Sequence, residues 1–596
     1  MSKPDWTKAL PKPPEGYRLL EAWFTTFDQP DASFLVEHLL PSLLAANRLV
    51  SHELNERALF FGELGTVLKD YHGKLTVISS RPKIGRAVSQ YPWLGRYVDH
   101  FMVGANSRAV QHSKLWALHW AGDDTEQLDL YVSSTNLTSS AFKDQMQAGW
   151  KVSLSLEGRP TANAKQSWGE FIPFLYALGA SAGPTAKDRV NRLVQLLGKA
   201  KCPDGVTFVA SMPGSKSRAA AALRKLAPSA IHIMTPTVGD WTKDTLAAWS
   251  KDTGVPLAKI RLKWPAAGHP WASNGGWTLT KTASKALLDN GGRLDEVTTD
   301  VRFCDEHATG DERWSHAKFY LLVVPRKKKR RLLVTSANWS MAAWGAGKNI
   351  SPTNFELGVL FETDWKMLES IKGALSNPWF TERADASDAA HLHWAEVTWD
   401  GKRIELQARS VDAEKPISAI VYFKSGKVIS VSLTAGKAAL PWTDVVDTPF
   451  TAQFSQGSET LDLDVVDLRP LAAFSKTPLP EVDPALEAIL RNAFLLQRYG
   501  GPVVDIETIS DRGGPHRKRG ESGGAENYAV QAWLDARAAF AVVDRWRKEL
   551  GKAKSDRALR ERIVIDGQDL CSFYKQSKEP GRVLAAEELS WRLKET

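Results

Sequence analysis

The sequence predicts an α/β protein in which two similar halves share one active site, followed by a small β-sandwich and a helical C-terminal region. Three observations predict it. A histidine, a lysine two places on and an asparagine about twenty places later occur together twice. Strand-like and helix-like stretches alternate around both copies up to about residue 385. Beyond residue 391 the texture changes to short alternating strands, and beyond residue 480 to helices.

In the first copy, Gln111-His112-Ser113-Lys114 opens an apolar run from Leu115 to Trp120; Gln127–Ser133 reads as a second strand, and Asn136 closes the unit. In the second, Trp314–Lys318, with His316, leads into an apolar run to Val324. A basic turn, Arg326–Arg331, joins it to another strand that ends before Asn338, Trp339 and Ser340. Lys114 to Asn136 is 22 residues and Lys318 to Asn338 is 20. On a strand, residues two apart share a face, which points each histidine and its lysine the same way. A histidine, a lysine and an asparagine at one spot suit a phosphate: a nucleophile or acid, a cation and a neutral donor. Two copies about 200 residues apart imply two halves around one site.

The remaining elements follow in order. Residues 1–200 form the first half, with strands at Leu75–Ser79, Phe101–Val103 and Gly149–Ser155 and an amphipathic helix at Lys187–Ala200. Leu35–Val50 is apolar but interrupted by Glu37, His38, Pro41 and Arg48, and reads as a buried helix. Residues 205–385 form the second half, with strands at Val206–Ala210, Ile231–Met234 and Phe355–Phe361 and a helix at Thr242–Trp249. Pro265–Gly276, rich in Pro, Gly and Trp, reads as an irregular loop near the site. Residues 391–470 read as a β-sandwich carrying no chemistry, and residues 480–596 as helices around a basic, solvated loop at Asp511–Gly520.

At 596 residues the chain has room for about three or four domains. The net charge of +9 favours an anionic partner. Twenty-three tryptophans are many, and most are expected in the core. Cys202, Cys304 and Cys571 lie far apart without metal-ligand spacing, and no disulfide framework or leader is read, which implies a reducing cytoplasmic setting, nuclear if eukaryotic. No apolar run is long enough to cross a membrane.

The doubled histidine–lysine–asparagine set resembles the phospholipase D superfamily. Neither lysine is followed by that superfamily's usual aspartate, and in this the chain is similar to the tyrosyl-DNA phosphodiesterase 1 branch. Val334–Gly345, Asn354–Phe361, Phe208–Gly214, Asn136 and Gln147–Trp150 extend the likeness over roughly residues 20–380. Trp339 departs from the small aliphatic residue expected beside Asn338, and residues 391–596 match nothing in that family.

The resemblance implies a metal-independent phosphodiesterase with no cofactor, acting on single-stranded or end-processed DNA and hydrolysing 3′-phosphotyrosyl or related adducts, as in DNA repair. Lys114, Lys318, Asn136 and Asn338 would bracket the phosphate, with Ser340 as a further donor. By resemblance His112 is the nucleophile and His316 the general acid/base. Glu356 would orient His112, and Gln147 would hold His316 without adding charge. Residues alone would make Glu356 an edge-strand carboxylate and Gln147 an ordinary polar residue on a helix face. His119, His307, His391 and His393 read as structural or exposed. The alternative is a broader nuclease cutting DNA backbone, as in host defence. A phospholipase ranks third, and a binding scaffold with a decayed site is opposed by the complete double set. The C-terminal region is left to a protein partner.

Overall fold

The computed structural model describes residues 6–27, 29–45, 54–80, 91–156, 168–215, 218–265, 279–296, 314–325, 329–370, 392–412, 414–470, 484–501, 525–553, 557–577 and 579–596. Cys304, His307, His391, the stretch Ala266–Gly276, Arg326–Lys328 of the basic turn and the Asp511–Gly520 loop lie outside the described residues. The fold is mixed α/β, with several sheets and helices. The chain divides into two compact units, one of Met1–Ala45 with Gly73–Asp467 and one of Ala46–His72 with Leu468–Thr596.

The first sheet of the larger unit draws on β1 (Arg18–Thr25), β2 (Leu75–Ser79), β3 (Val98–Met102), β5 (Leu115–Ala121), β6 (Glu126–Ser133) and β8 (Gly149–Ser155). Two short strands, β4 (Val110–Gln111) and β7 (Gln145–Met146), lie outside it. The order is β3-β2-β1-β5-β6-β8, with β1, β2 and β3 parallel and the remaining neighbours antiparallel. Every side chain of β2 is buried, as a continuous apolar run requires in a strand covered on both faces. Helices Phe171–Ala182 and Pro184–Lys199 close one face. In the second, Val190, Leu193, Val194, Leu196 and Leu197 form the buried stripe that the spacing predicts, Ala186 joins them, and Pro184 at the first turn presets the backbone.

The second sheet repeats the plan with β9 (Thr207–Ser211), β10 (Ala230–Met234), β11 (Ile260–Trp264), β12 (Arg293–Glu296), β14 (Phe319–Val323), β15 (Arg330–Thr335) and β16 (Asn354–Thr363). Its order is β12-β11-β10-β14-β15-β16; the three strands at one edge are parallel and the following neighbours antiparallel. β16 also pairs with β9 and, at its start, with β4. β13 (Trp314–Ser315) leaves the sheet to pair with β7. Trp241, Trp249, Trp264, Trp339 and Trp344 fill the core behind this sheet. These tryptophans are structural, as expected of most.

Eight further strands follow: β17 (Leu392–Trp399), β18 (Arg403–Ser410), β19 (Ile417–Phe423), β20 (Val428–Leu433), β21 (Lys437–Pro441), β22 (Pro449–Gln456), β23 (Glu459–Asp464) and β24 (Val466–Asp467). They form two four-stranded sheets, β21-β18-β17-β24 and β20-β19-β22-β23, whose alternating side chains share one apolar core.

The smaller unit is helical: Leu54–Leu68, Pro484–Arg498, Ala525–Lys552, Arg557–Lys575 and Pro580–Lys594. Asp566 is buried at the centre, accepting from the Tyr499 hydroxyl (2.6 Å) and paired with Arg498 (3.3 Å) and Arg491 (3.5 Å). Burial pushes its carboxyl up to about 6 against the pull of both guanidiniums. Arg498 also reaches Asp70 at 2.8 Å, tying the 46–72 segment to the C-terminal helices.

Candidate active site

Each histidine–lysine pair follows a two-residue strand that pairs with a strand distant in sequence. β4 runs parallel to the start of β16, so that the His112 amide donates to the Phe355 carbonyl (3.0 Å) and the His112 ring meets Glu356. β13 runs parallel to β7, so that the His316 amide donates to the Met146 carbonyl (2.9 Å) and the His316 ring meets Gln147. The alternation argument placed His316 and Lys318 on a strand. They lie instead in the link between β13 and β14, as His112 and Lys114 lie between β4 and β5. In both links the lysine folds back, and its ammonium donates to the carbonyl of its own histidine, Lys114 to His112 at 2.6 Å and Lys318 to His316 at 2.8 Å. Both lysines are 0% exposed.

The two histidines are held by different chemistry. His112 Nδ1 lies 2.9 Å from Glu356, whose carboxylate also accepts from the Ser336 hydroxyl and from Asn354 Nδ2 (3.0 Å). Glu356 is no edge-strand carboxylate: it pairs with Ser211 of β9, β16 pairs with β4 just before it and with β15 just after it, and the side chain is buried. Burial alone would raise its pKa, but His112, Lys114 and the Ser336 hydrogen bond outweigh that and hold it below the usual carboxylate range. The ionised carboxylate must therefore accept from His112 Nδ1–H, which leaves the Nε2 lone pair free.

His316 Nδ1 faces two neutral oxygens, the Ser134 carbonyl and Gln147 Oε1, each at 3.2 Å. The Gln147 amide is oriented because its Oε1 accepts from Ser134 Oγ (2.7 Å) while its Nε2 donates to Gln145 Oε1 (2.6 Å) and the Ala141 carbonyl (3.2 Å). Far from an ordinary helix-face residue, Gln147 follows the short strand β7. His316 thus carries its proton on Nδ1, and Nε2 accepts from Lys318 Nζ at 3.2 Å.

Electrostatics couple the two half-sites. Burial depresses His112, and Lys114 and Lys318 add to this against the opposing pull of Glu356. Burial, then Lys318, Lys114 and His112, hold His316 well below the ordinary imidazole value. Burial and the Lys114 charge likewise hold Lys318 well below the ordinary lysine value. Both lysines therefore bear on both histidines, and among the described residues Glu356 is the carboxylate that opposes them at His112.

The asparagines sit beyond the last strands of their units, each turned by a threonine. Asn136 Oδ1 accepts from Thr26 Oγ1 (3.4 Å) and the Phe27 amide (3.3 Å), and Asn338 Oδ1 accepts from Thr235 Oγ1 (3.1 Å). Thr26 directly follows β1 and Thr235 directly follows β10, matching positions in the two sheets. Ser340 caps the short helix Met341–Trp344, accepting from the Ala343 amide at 3.3 Å. Trp339 packs against Trp241 and Trp249 at ring distances of 5.5 and 5.7 Å, and its carbonyl accepts from the Trp241 indole (2.9 Å) and the Gly239 amide (2.8 Å). A side chain at Gly239 would come within 2.6 Å of Ser340 Cα, so only glycine lets this strut approach.

Sequence reasoning missed Thr26, Thr235, Ser134, Ser336 and Phe27. The serines carried a signal: each stands two places before its asparagine, and each donates to the partner of a histidine. His119 pairs with Glu126 at 3.2 Å. Among the described residues no group of three His, Cys, Asp or Glu side chains is arranged to hold a metal ion, and no helix is long and apolar enough to cross a membrane.

Residues 224–393 match the tyrosyl-DNA phosphodiesterase family. The match bears out the resemblance read from the sequence and, with it, the class of enzyme, a phosphodiesterase. It spans His316, Lys318, Asn338, Ser340 and Glu356; His112, Lys114, Asn136 and Gln147 precede it. Among solved structures, yeast tyrosyl-DNA phosphodiesterase is 16% identical with a TM-score of 0.40, covering 60% of this chain and 86% of that one. A variant of the yeast enzyme gives 16% and 0.40, with 62% and 87% covered. Polyphosphate kinase from Porphyromonas gingivalis gives 10% and 0.28, with 61% and 42% covered. No curated protein sequence matches.

Proposed function

We propose that the chain is a metal-independent phosphodiesterase that removes 3′-phosphotyrosyl or related adducts from DNA ends, using two similar phospholipase D-like halves around one site. The observation that carries this reading is the inequality of the two histidines, one backed by a carboxylate and the other by a neutral amide.

His112 Nε2 attacks phosphorus while the bond to the leaving oxygen breaks, giving a phosphohistidine. Glu356 stabilises the cation that develops on the His112 ring and keeps Nε2 as the attacking atom. Lys114, Lys318, Asn136 and Asn338 supply positive charge and neutral donors to the nonbridging oxygens, with Ser340 as an additional donor. His316, protonated at Nε2 as well as Nδ1, gives the Nε2 proton to the leaving oxygen, then takes one at the same atom from the water that attacks phosphorus and expels His112. Because Gln147 is neutral, it orients His316 without locking a proton onto it, as alternate acid and base duty requires. In the free protein Lys318 covers His316 Nε2, and the incoming phosphate draws that ammonium to itself. Single-stranded or end-processed DNA is the partner that the basic balance and these oxygens suit, and the C-terminal region is open to a protein partner.

The test is turnover in excess chelator on four labelled substrates: 3′-phosphotyrosyl DNA, unmodified single strands, unmodified duplex and a phosphatidyl ester. Release of tyrosine from the first alone supports the reading. Cleavage of unmodified DNA at a comparable rate would replace it with the nuclease alternative, and lipid hydrolysis would replace it with a phospholipase.

A further inference from the structure

The half-sites differ at one residue that no histidine–lysine–asparagine motif contains. Phe27 follows Thr26 at the end of β1 and touches all three members of the first set. Its ring meets the His112 ring edge to face at a centroid distance of 5.0 Å and an interplanar angle of 64°. The Lys114 ammonium lies 5.7 Å from the same ring centroid. Its backbone amide donates to Asn136 Oδ1 at 3.3 Å, beside the Thr26 hydroxyl, which fixes the Asn136 amide with Oδ1 toward the end of β1. At the matching place in the second half Thr235 is followed by Pro236, which has neither an aromatic ring nor an N–H. Asn338 Oδ1 accepts there from Thr235, and Lys318 turns to His316 Nε2.

We propose that Phe27 is a positioning residue for the nucleophile, holding His112, Lys114 and Asn136 in one array that the second half lacks. The aromatic face supports a buried ammonium electrostatically without the hydrogen bond that a carboxylate would draw from it. The ring packs against the buried His112 imidazole, which restrains its orientation and helps to cover it from water. Three groups that must meet one phosphate are thereby held before the substrate arrives, which is where positioning contributes to rate. The inference rests on the reading of His112 as the attacking residue.

The experiment compares the full-length chain with Phe27→Leu, which keeps the backbone N–H but loses the ring, and Phe27→Tyr, which keeps both. Steady-state turnover of a 3′-phosphotyrosyl oligonucleotide is measured across pH, with thermal melts of each variant. Phe27→Leu should lower kcat by roughly tenfold to a hundredfold with KM little changed. The acid limb of its kcat/KM profile should move upward as water reaches His112, and Phe27→Tyr should restore both. Phe27→Met carries the same expectation should Phe27→Leu melt below the assay temperature. Unaltered kcat and an unmoved limb in Phe27→Leu, or equal impairment in Phe27→Tyr, would overturn the inference while leaving the parent reading intact. Absence of turnover in the unaltered chain would overturn both.

Discussion

His112 and His316 are both held below the ordinary imidazole value, first by burial and then by the two lysines, although Glu356 pulls His112 the other way. The consequences for pH have opposite signs. Attack needs the neutral form of His112, and a depressed value keeps that form populated as pH falls below about 6.5. Leaving-group protonation needs a proton on His316, which a depressed value makes scarcer as pH rises. A tyrosyl leaving group, with a pKa of about 10, departs with little help, whereas a sugar alkoxide does not. Measured as kcat/KM against pH, the phosphotyrosyl substrate should give a level profile through neutrality, falling only well below pH 6.5. An alkyl phosphodiester should decline steadily across the neutral range as pH rises. An acid limb centred at or above 6.5 for the phosphotyrosyl substrate would contradict this assignment of His112.

At the scale of elements, the short strands β4 and β13 matter most, because each brings a histidine to a strand far away in sequence. The loop after β15 is held as firmly by the tryptophan cluster. Replacing Trp339 with leucine should open a void between Trp241 and Trp249 and destabilise the chain by roughly 2–3 kcal/mol. Chemical denaturation measures the cost, and turnover should fall with it as Asn338 and Ser340 loosen. Wild-type stability would mean that the loop is held from elsewhere. Much of this level was legible: the doubled motif, the strands around it and the helix at Pro184–Lys199 follow from periodicity and spacing. Glu356 and Gln147 were legible only through resemblance, since β4 and β7 are two residues long and carry no pattern. Thr26, Phe27 and Thr235 lie 110, 109 and 103 positions upstream of the asparagines they contact, and nothing local distinguishes a threonine at a strand end that turns an amide from one that does not.

At the scale of the whole molecule, the smaller unit is discontinuous in sequence. Helix Leu54–Leu68 interrupts the first sheet between β1 and β2, yet it packs with helix Pro484–Arg498, and Arg498 holds Asp70 beyond its end. Such an insertion cannot be read locally, because its partner lies more than 400 residues away. A chain ended after Asp467 should therefore expose Phe60, Phe61, Leu64 and Leu68, all buried in the intact protein, and aggregate. Light scattering of the shortened chain checks this. A monodisperse, fully active product would show that the C-terminal helices are dispensable to the 46–72 segment.

The central claim is that the halves supply one site in which His112 attacks and His316 handles protons, and trapping the covalent step tests it most directly. A labelled 3′-phosphotyrosyl oligonucleotide is mixed in chelator with the unaltered chain, His112→Ala and His316→Ala, and the products are separated on a denaturing gel. With His316→Ala the tyrosyl group should still leave, and the adduct should persist because no base activates water, so that this protein carries label. With His112→Ala neither adduct nor product should form. Label on His112→Ala alone would reverse the two roles, and label on neither variant, with the unaltered chain active, would mean that water attacks phosphorus directly.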